Sequence, residues 1–320
     1  MTDLPSTPHI YSPADLSPDS GCTLVIGNFD GVHRGHQALL AHARAVRPGH
    51  RVVVLTFEPH PREYFAQSRN QPAPAFRLTL AQQKEKLLLA YGADRVVALG
   101  FDAALSQLSA QDFIRQVIVD GLGAAHVCVG DDFAFGAARG GSVDTLRHEG
   151  TLYGFGVSAL APVCDQSGGV LSSSRARGAI AAGDFAAAQA VLGHAWCVSA
   201  PVIKGDQRGR TLGYPTANQA LSRLQLPPYG IYAVRARIAG EDIWRDGVAN
   251  LGIRPMFEVA APLLETFIFD FSRKIYGNIL EVQPVDFIRG EARFDSLDAL
   301  MAQMKQDCLA ARAVLESRSL

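Results

Sequence analysis

Two hydrophobic periods divide this chain. Up to about residue 185, short and almost continuous apolar runs alternate with stretches whose apolar positions recur every three or four residues. Thr23–Ile26 (TLVI) and residues 52–56 (VVVLT), 95–99 (RVVAL) and 125–129 (AHVCV) read as strands buried on both faces. Residues 35–46, 79–91 and 110–119 read as helices lying between them. Apolar strands separated by helices predict a parallel sheet covered on both sides. An open doubly wound α/β domain of this kind binds ligands at the carboxyl ends of its strands.

The Ala-rich run at 177–192 predicts one helix that closes this domain or links it to the next. Beyond it the period falls to two. In residues 231–238 (IYAVRARI), Tyr232, Val234, Ala236 and Ile238 share one side, with Arg235 and Arg237 on the other. Residues 264–271 and 277–282 read as further strands. Clean alternation broken by turn residues predicts an antiparallel sheet, closed as a small barrel. Residues 295–314 then form one amphipathic helix, N-capped from the segment 294–296 and with Leu297, Leu300, Met301 and Met304 as its apolar stripe. The expected organisation is an α/β parallel-sheet domain over residues 1–185, followed by an antiparallel β-barrel domain with a C-terminal helix over 186–320.

Composition narrows what these domains do. A hydrophobic share of 48% and a charged share of 19% in 320 residues describe ordinary folded domains, too long for one core. Thirty Lys and Arg against 31 Asp and Glu leave a net charge of -1. No broad positive field is present for nucleic acid or an anionic membrane, so any phosphate must be held by local groups. Cys22, Cys128, Cys164, Cys197 and Cys308 are odd in number and widely spaced. They suggest neither a disulfide framework nor a zinc site, and read as buried free thiols in a reducing cytoplasm. The first 20 residues are rich in Pro, Ser and Asp and lack the pattern of a signal peptide. No apolar run approaches the ~18 residues of a membrane span.

The chemistry begins directly after the first long strand, at residues 27–37 (GNFDGVHRGHQ). A Gly-rich turn running from a strand into a helix presents backbone N–H groups and the positive end of the helix dipole to an anion. His33 and His36 lie three apart at this helix start, so both can reach one phosphate. Gly27 and Asn28 belong to the same cradle, and Gly35 lets a nucleotide approach the backbone closely. The alternatives for the histidines are a metal pair or a capping pair without function. No third ligand stands at metal spacing, and the Gly-x-Gly-x-x-Gly dinucleotide fingerprint is absent.

His-x-Gly-His after a first strand resembles the nucleotidylyltransferase signature. The longer string resembles the adenylyltransferase module of the prokaryotic bifunctional riboflavin kinase/FAD synthetase family. Further segments match in order. TFEPHP at 56–61 resembles the family's phosphate-contacting strand end, which brings in His60. VGDDFAFG at 129–136, with Arg139 and Gly141, resembles its VGxxFxFG loop, and SSSRAR at 172–177 resembles the superfamily's Ser/Thr-Arg motif. The resemblance implies Ser173, Ser174 and Arg177 as phosphate contacts. It also implies Asp30, Asp132, Phe135 and Arg139 as flavin contacts, with Asn28 and Asp30 near the flavin phosphate or ribose; the alternative for Asp30 is a structural role in the turn. Asp132 stands where the family often has Asn, Ser174 for the commoner Thr, and Ala176 for a branched apolar residue.

A second Gly-rich run, KGDQRGRT at 204–211, is not a Walker A loop. It has one residue too few between its glycines, Arg210 where Lys is needed, and Pro215 where a helix should run. The longer GDQRGRTLGYPTAN resembles the riboflavin kinase signature instead. That resemblance implies Gly205, Arg210 and Gly213 beside the nucleotide, and Thr216 and Asn218 around Mg²⁺ and the ATP phosphates. VANLGIRP at 248–255 and PYGIY at 228–232 match downstream, with Met256 for the usual Thr. Glu265 stands out from pattern as well: it shares a strand face with Phe267, Phe269 and Phe271. A carboxylate on an aromatic face is costly to bury without a task. It could accept a proton from a substrate hydroxyl, and the family's catalytic base falls at the same position.

The implied activity is two ATP-dependent steps, riboflavin to FMN and FMN to FAD with release of pyrophosphate. Mg²⁺ serves as cofactor, and riboflavin, FMN and ATP are the small-molecule partners. Neither nucleic acid nor a membrane is expected, while self-association stays open. Three alternatives remain: one module silent, a flavin- or nucleotide-binding regulator without turnover, or a different nucleotidylyltransferase.

Overall fold

The computed structural model describes residues 9–19, 21–72, 75–205, 213–221, 223–256 and 259–318. They form two compact units, one from residues 7–74 and 81–173 and the other from 75–80 and 174–320.

The first unit is built on β1 (Ile10–Tyr11), β2 (Thr23–Ile26), β3 (Val52–Glu58), β4 (Arg95–Gly100), β5 (His126–Gly130) and β6 (Gly156–Leu160). They lie in the order β1-β4-β3-β2-β5-β6, and every pairing is parallel. Its helices are α1 (Arg34–Val46), α2 (Pro61–Ser68), α3 (Ala81–Ala90), α4 (Ala103–Gln107), α5 (Ala110–Phe113) and α6 (Val143–Tyr153). Alternate strand residues serve two cores. Leu24, Ile26, Val53 and Leu55 join Phe113, Ile114 and Leu146 on one face. Val25, Val52 and Val54 join Leu39 and Leu40 of α1 and Leu88 of α3 on the other. Each such side chain contributes about 1.5–3 kcal/mol on burial, which is why these strands carry no polar face.

The doubly wound parallel sheet and its four expected strands are therefore present, with ends moved by at most two residues. The helix expected over 110–119 is α-helical only through Phe113 and continues as a π-helical segment, Ile114–Val119, that buries Ile114, Val117 and Ile118. Strand order reverses between β2 and β5, so the segments after these two strands flank the crevice where such sheets take ligands.

The second unit opens with α7 (Ser173–Ala181) and α8 (Phe185–Leu192). The single helix expected over 177–192 is broken between them. Gly183 takes a left-handed φ of +74°, and the Asp184 carboxylate caps α8 by accepting the Ala187 N–H at 2.9 Å. The barrel comprises β7 (Val198–Pro201), β8 (Ala217–Ala220), β9 (Gly230–Ile238), β10 (Arg245–Met256), β11 (Val259–Ile268) and β12 (Ile279–Arg289). Their order is β7-β12-β9-β10-β11-β8, antiparallel throughout. An Ile203–Asn218 bridge draws the two end strands together. Gln219, wholly buried, completes the closure: its Nε2 donates to the carbonyls of Ala200 (2.9 Å) and Leu280 (2.8 Å).

The C-terminal helix α9 (Leu297–Ser317) is N-capped by Ser296, whose Oγ accepts the Ala299 N–H at 3.1 Å. Its expected apolar stripe needs correction, because Leu297 is 56% exposed and Met301 37%. The helix meets the barrel through its second half instead. Ala311 and Leu315 pack there with Phe267 and Phe269, and Arg289 pairs with the buried Asp307 at 2.6 Å.

Gln219→Leu should destabilise the barrel by about 2 kcal/mol, since two buried carbonyls lose their donor while one methyl branch adds apolar volume. Urea unfolding followed by barrel-specific fluorescence checks this. A variant as stable as wild type would mean that the strand ends close without Gln219.

Candidate active sites

In the first unit, the turn after β2 is made from unusual backbone. Phe29, Gly31 and Val32 have φ of +51°, +80° and +41°. The side chains of Phe29 and Val32 are 1% and 0% exposed, so both strained residues are anchored in the core. The turn ends at His33, the N-cap residue of α1, whose first turn contains no acidic side chain. The positive helix end is thus left for an external anion. Gln37 Nε2 donates to the Val32 carbonyl at 2.8 Å, and Ser173 Oγ donates to the Asp30 carbonyl at 2.8 Å.

The two histidines come together as expected from their spacing. Their rings stack with centroids 3.6 Å apart, and the Phe29 ring meets His36 edge-on at 5.0 Å. Gly35 has a different reason to be glycine than close approach of a nucleotide. A Cβ there would lie 3.0 Å from the His33 ring and 3.2 Å from the Leu171 carbonyl, so the protein itself fills the space. Gly27 likewise faces the Phe29 ring, which a Cβ would meet at 3.1 Å.

Burial, then the nearby His33 and Lys84, hold the His36 imidazole well below its ordinary 6.5. Around neutral pH His36 is therefore neutral, a donor of one N–H rather than a full charge. Its Nδ1 is buried with no hydrogen-bond partner.

The other expected residues of this half fall as follows. His60 caps α2: its Nδ1 accepts the Arg62 N–H at 3.1 Å, and Glu63 Oε2 accepts the His60 N–H at 3.1 Å. Asp30 is buried within the turn. Phe135 is 8% exposed and packs in the core against Phe113 and Phe133. Asp132 and Arg139 are exposed on the loop after β5, where Ala138 and Arg139 take φ of +52° and +58°. Ser174 and Arg177 lie in the second unit. There Arg177 Nε donates to the Phe76 carbonyl at 2.8 Å, and its guanidinium covers the Phe76 ring.

Sequence reasoning missed two features here. Phe65, 42% exposed, stands with Tyr64 and Phe101 in an aromatic cluster beside His60. Lys84, 2% exposed, lies 2.9 Å from both Glu58 Oε1 and Thr56 Oγ1 and 3.3 Å from the Asn28 carbonyl. Nothing in the run AQQKEKLLLA sets it apart from Lys86, which is exposed.

In the barrel, register builds the site. Glu265 stands opposite Asn218 on one side and Asn250 on the other, so three polar side chains form one row across β8, β11 and β10. Asn250 Nδ2 donates to Glu265 Oε2 at 3.4 Å. Asn250 was visible in the VANLGIRP run but carried no assignment. Gly205 belongs here because a Cβ would strike the Asn218 amide at 2.8 Å, whereas Gly213 serves a turn with φ of +83°. Arg210 lies outside the described residues.

Asn218 Nδ2 donates to the Thr216 carbonyl at 3.3 Å, a bond that does not use Oδ1. Thr216 and Asn218 line a cavity of about 290 Å³ with Val202, Thr266, Ile268 and Phe271. Phe271 is thus not on the Glu265 face. β11 ends at Ile268, Asp270 turns left-handed at φ +55°, and alternation stops. Among the described residues, no cluster of three or more His, Cys, Asp or Glu forms a metal cage. The neutral oxygens of Thr216 and Asn218 suit Mg²⁺, which is held largely by phosphate and water.

The depressed His36 pKa makes a prediction about stability. Between the folded value and 6.5 the unfolded chain binds more protons at His36 than the folded chain. Its contribution to stability is therefore present above 6.5 and is lost as pH falls toward the folded pKa. His36→Gln should lose less stability than wild type when urea unfolding is compared at neutral pH and at about pH 5. Equal losses would remove His36 as the titrating group.

The FAD synthetase family model matches residues 16–175, and the riboflavin kinase family model matches 192–315. A bifunctional riboflavin kinase/FMN adenylyltransferase of Escherichia coli (strain K12) is 42% identical over 299 residues, covering 92% of this chain and 93% of that protein. One from Pseudomonas fluorescens is 43% identical over 304 residues, covering 94% and 95%. The crystal structure of a macrolide-efflux protein from Streptococcus pneumoniae superposes with a TM-score of 0.78 at 30% identity, covering 96% of this chain and 97% of that one. Among the described residues, no helix is long and apolar enough to cross a membrane. With both halves matched in order and over 90% of each relative covered, the chain belongs to the bifunctional riboflavin kinase/FMN adenylyltransferase family.

Proposed function

We propose that the barrel phosphorylates riboflavin with Glu265 as general base, and that the turn at 27–36 then adenylylates the FMN produced. The observation that carries this reading is the Asn218–Glu265–Asn250 row, a carboxylate held between two amides, one of which, Asn218, lines a cavity together with Thr216. Such a carboxylate can take the proton of the ribityl hydroxyl while its oxygen attacks the γ-phosphorus of ATP and ADP departs. Asn250 orients Glu265, and Asn218 and Thr216 would hold Mg²⁺. When bound, Mg²⁺ supplies positive charge that offsets the phosphates during transfer.

In the second reaction a phosphate oxygen of FMN attacks the α-phosphorus of the second ATP and pyrophosphate leaves. No covalent nucleophile is needed, so the protein contributes position and charge stabilisation. The N-terminus of α1 and the N–H groups of His33 and His36 are aimed at the phosphates. The isoalloxazine ring stacks on the exposed Phe65 within its aromatic cluster. Five free cysteines, of which Cys22 and Cys128 are buried with pKa values pushed up to about 11 and about 12, fit a reducing cytoplasm.

Both activities can be read on one protein by incubating it with riboflavin, ATP and Mg²⁺ and separating the flavins by chromatography. Glu265→Gln should lower FMN formation from riboflavin by roughly 10²–10⁴-fold, with FAD formation from supplied FMN held within about twofold. His36→Ala should do the reverse. Wild-type riboflavin phosphorylation in Glu265→Gln would remove the base assignment. Phe65→Ala should raise the KM for FMN about tenfold with little change in kcat; an unchanged KM would place the flavin ring elsewhere.

A further inference from the structure

The buried pair Lys84–Glu58 has no evident structural reason to exist. Lys84 sits on α3, 2% exposed, and Glu58 ends β3, 4% exposed. The ammonium lies 2.9 Å from Glu58 Oε1 and 2.9 Å from Thr56 Oγ1. It also reaches the carbonyls of Asn28 at 3.3 Å and Phe57 at 3.5 Å. Thr56 Oγ1 in turn donates to the Asn28 carbonyl at 3.2 Å.

Burying such a pair costs desolvation that its attraction barely repays, and apolar replacements of similar size are often neutral or stabilising. Stability alone therefore does not account for it. Its place does. Lys84 is bonded to the first residue after Gly27 in the turn, at the carboxyl ends of β2 and β3, where a parallel sheet takes its ligand. A fixed positive charge there, away from water, acts more strongly on incoming phosphates than a solvated one.

We propose that Lys84 is a positioning residue for adenylyl transfer: held by Glu58, its ammonium fixes the Asn28 carbonyl and the Thr56 hydroxyl, and with them the strained turn that receives the triphosphate. Lys84 itself touches no substrate. Glu58 keeps the charge compensated, and α3 is thereby tied to the ends of two strands. The proposal rests on the reading that this turn performs the adenylyl transfer.

The test is the double variant Lys84→Met/Glu58→Gln, which removes both charges at nearly constant volume. Thermal melting should match or exceed wild type, and phosphorylation of riboflavin on the same chain should stay within about twofold. Conversion of FMN to FAD should fall on the order of 100-fold in kcat, the loss expected when a reacting geometry is displaced. Its acidic limb should also move to higher pH, because His36 keeps His33 as a neighbour but loses the Lys84 charge that, against Glu58, helps hold it neutral.

A purely structural pair predicts the same stability but the opposite for turnover, which is regained along with it. Wild-type FAD formation and an unmoved limb in a folded double variant would overturn the proposal. Should the double variant not fold, Thr56→Val tests the same network; a loss of FAD formation supports it and unchanged turnover overturns it. His36→Ala runs alongside. If that variant still makes FAD, the site assignment itself has failed, whereas failure confined to the Lys84 network leaves the site standing.

Discussion

The left-handed backbone between Asn28 and His33 is the constraint on which the first unit depends. A branched residue such as Val32 at φ +41° is held against its own preference. Strain of this kind costs about 1–3 kcal/mol for each residue. Burying a Phe or Val side chain contributes about 1.5–3 kcal/mol, and Phe29 and Val32 are both buried almost completely. The two effects are of one size, so the turn persists because the core holds its side chains. What results is a helix that starts at His33 with a bare positive end, and two imidazoles stacked above it. The strain is local, and the means of maintaining it is the whole α1 face of the sheet.

The barrel reaches its site by another route. No residue of the Asn218–Glu265–Asn250 row needs unusual backbone; the three meet because β8, β11 and β10 pair in one register. A slip of one residue would send Glu265 to the opposite face. Gln219 guards against this by binding the carbonyls of β7 and β12 from the strand that carries Asn218. Gly252, two residues along from Asn250, leaves room for the Glu291 carboxylate at the same end of the sheet. One site is held by side chains locking a strained turn, the other by hydrogen bonds that fix where strands align.

What was legible in the sequence follows that difference. Strands apolar on both faces, such as Thr23–Ile26, announce themselves, because burial on two sides leaves no polar position to confuse the pattern. The histidine pair was legible for the same reason that it is close, three residues apart at a helix start. Glu265 could be singled out as a carboxylate in an aromatic run, yet its partner Asn250 could not. Cross-strand pairing joins residues 15 positions apart, and one strand does not state its register. Phe271 was misplaced because alternation assumes an extended backbone, and Asp270 ends it. The break at Gly183 was hidden by the high helix propensity of the alanines on both sides. Lys84 was hidden more deeply: lysines are so commonly exposed that only the packing of α3 on β3 reveals one bonded beneath a turn.

The electrostatics of the two halves answer to what each must accept. Adenylyl transfer brings a triphosphate to a second phosphate, so repulsion between reactants is the first obstacle. In the proposed reading the turn meets it with a helix N-terminus and, bonded beneath it, a buried ammonium. Phosphorylation of riboflavin brings one polyanion to an uncharged alcohol, and the obstacle is the hydroxyl proton. In the proposed reading a carboxylate flanked by two neutral amides, Glu265, takes that proton, at the cost of adding negative charge beside ATP. On the same reading a divalent cation at Thr216 and Asn218 offsets that charge. A chain with net charge -1 thus divides its charges by unit: the first holds a compensated Lys84–Glu58 pair, and in the second the Glu265 carboxylate stands between two amides.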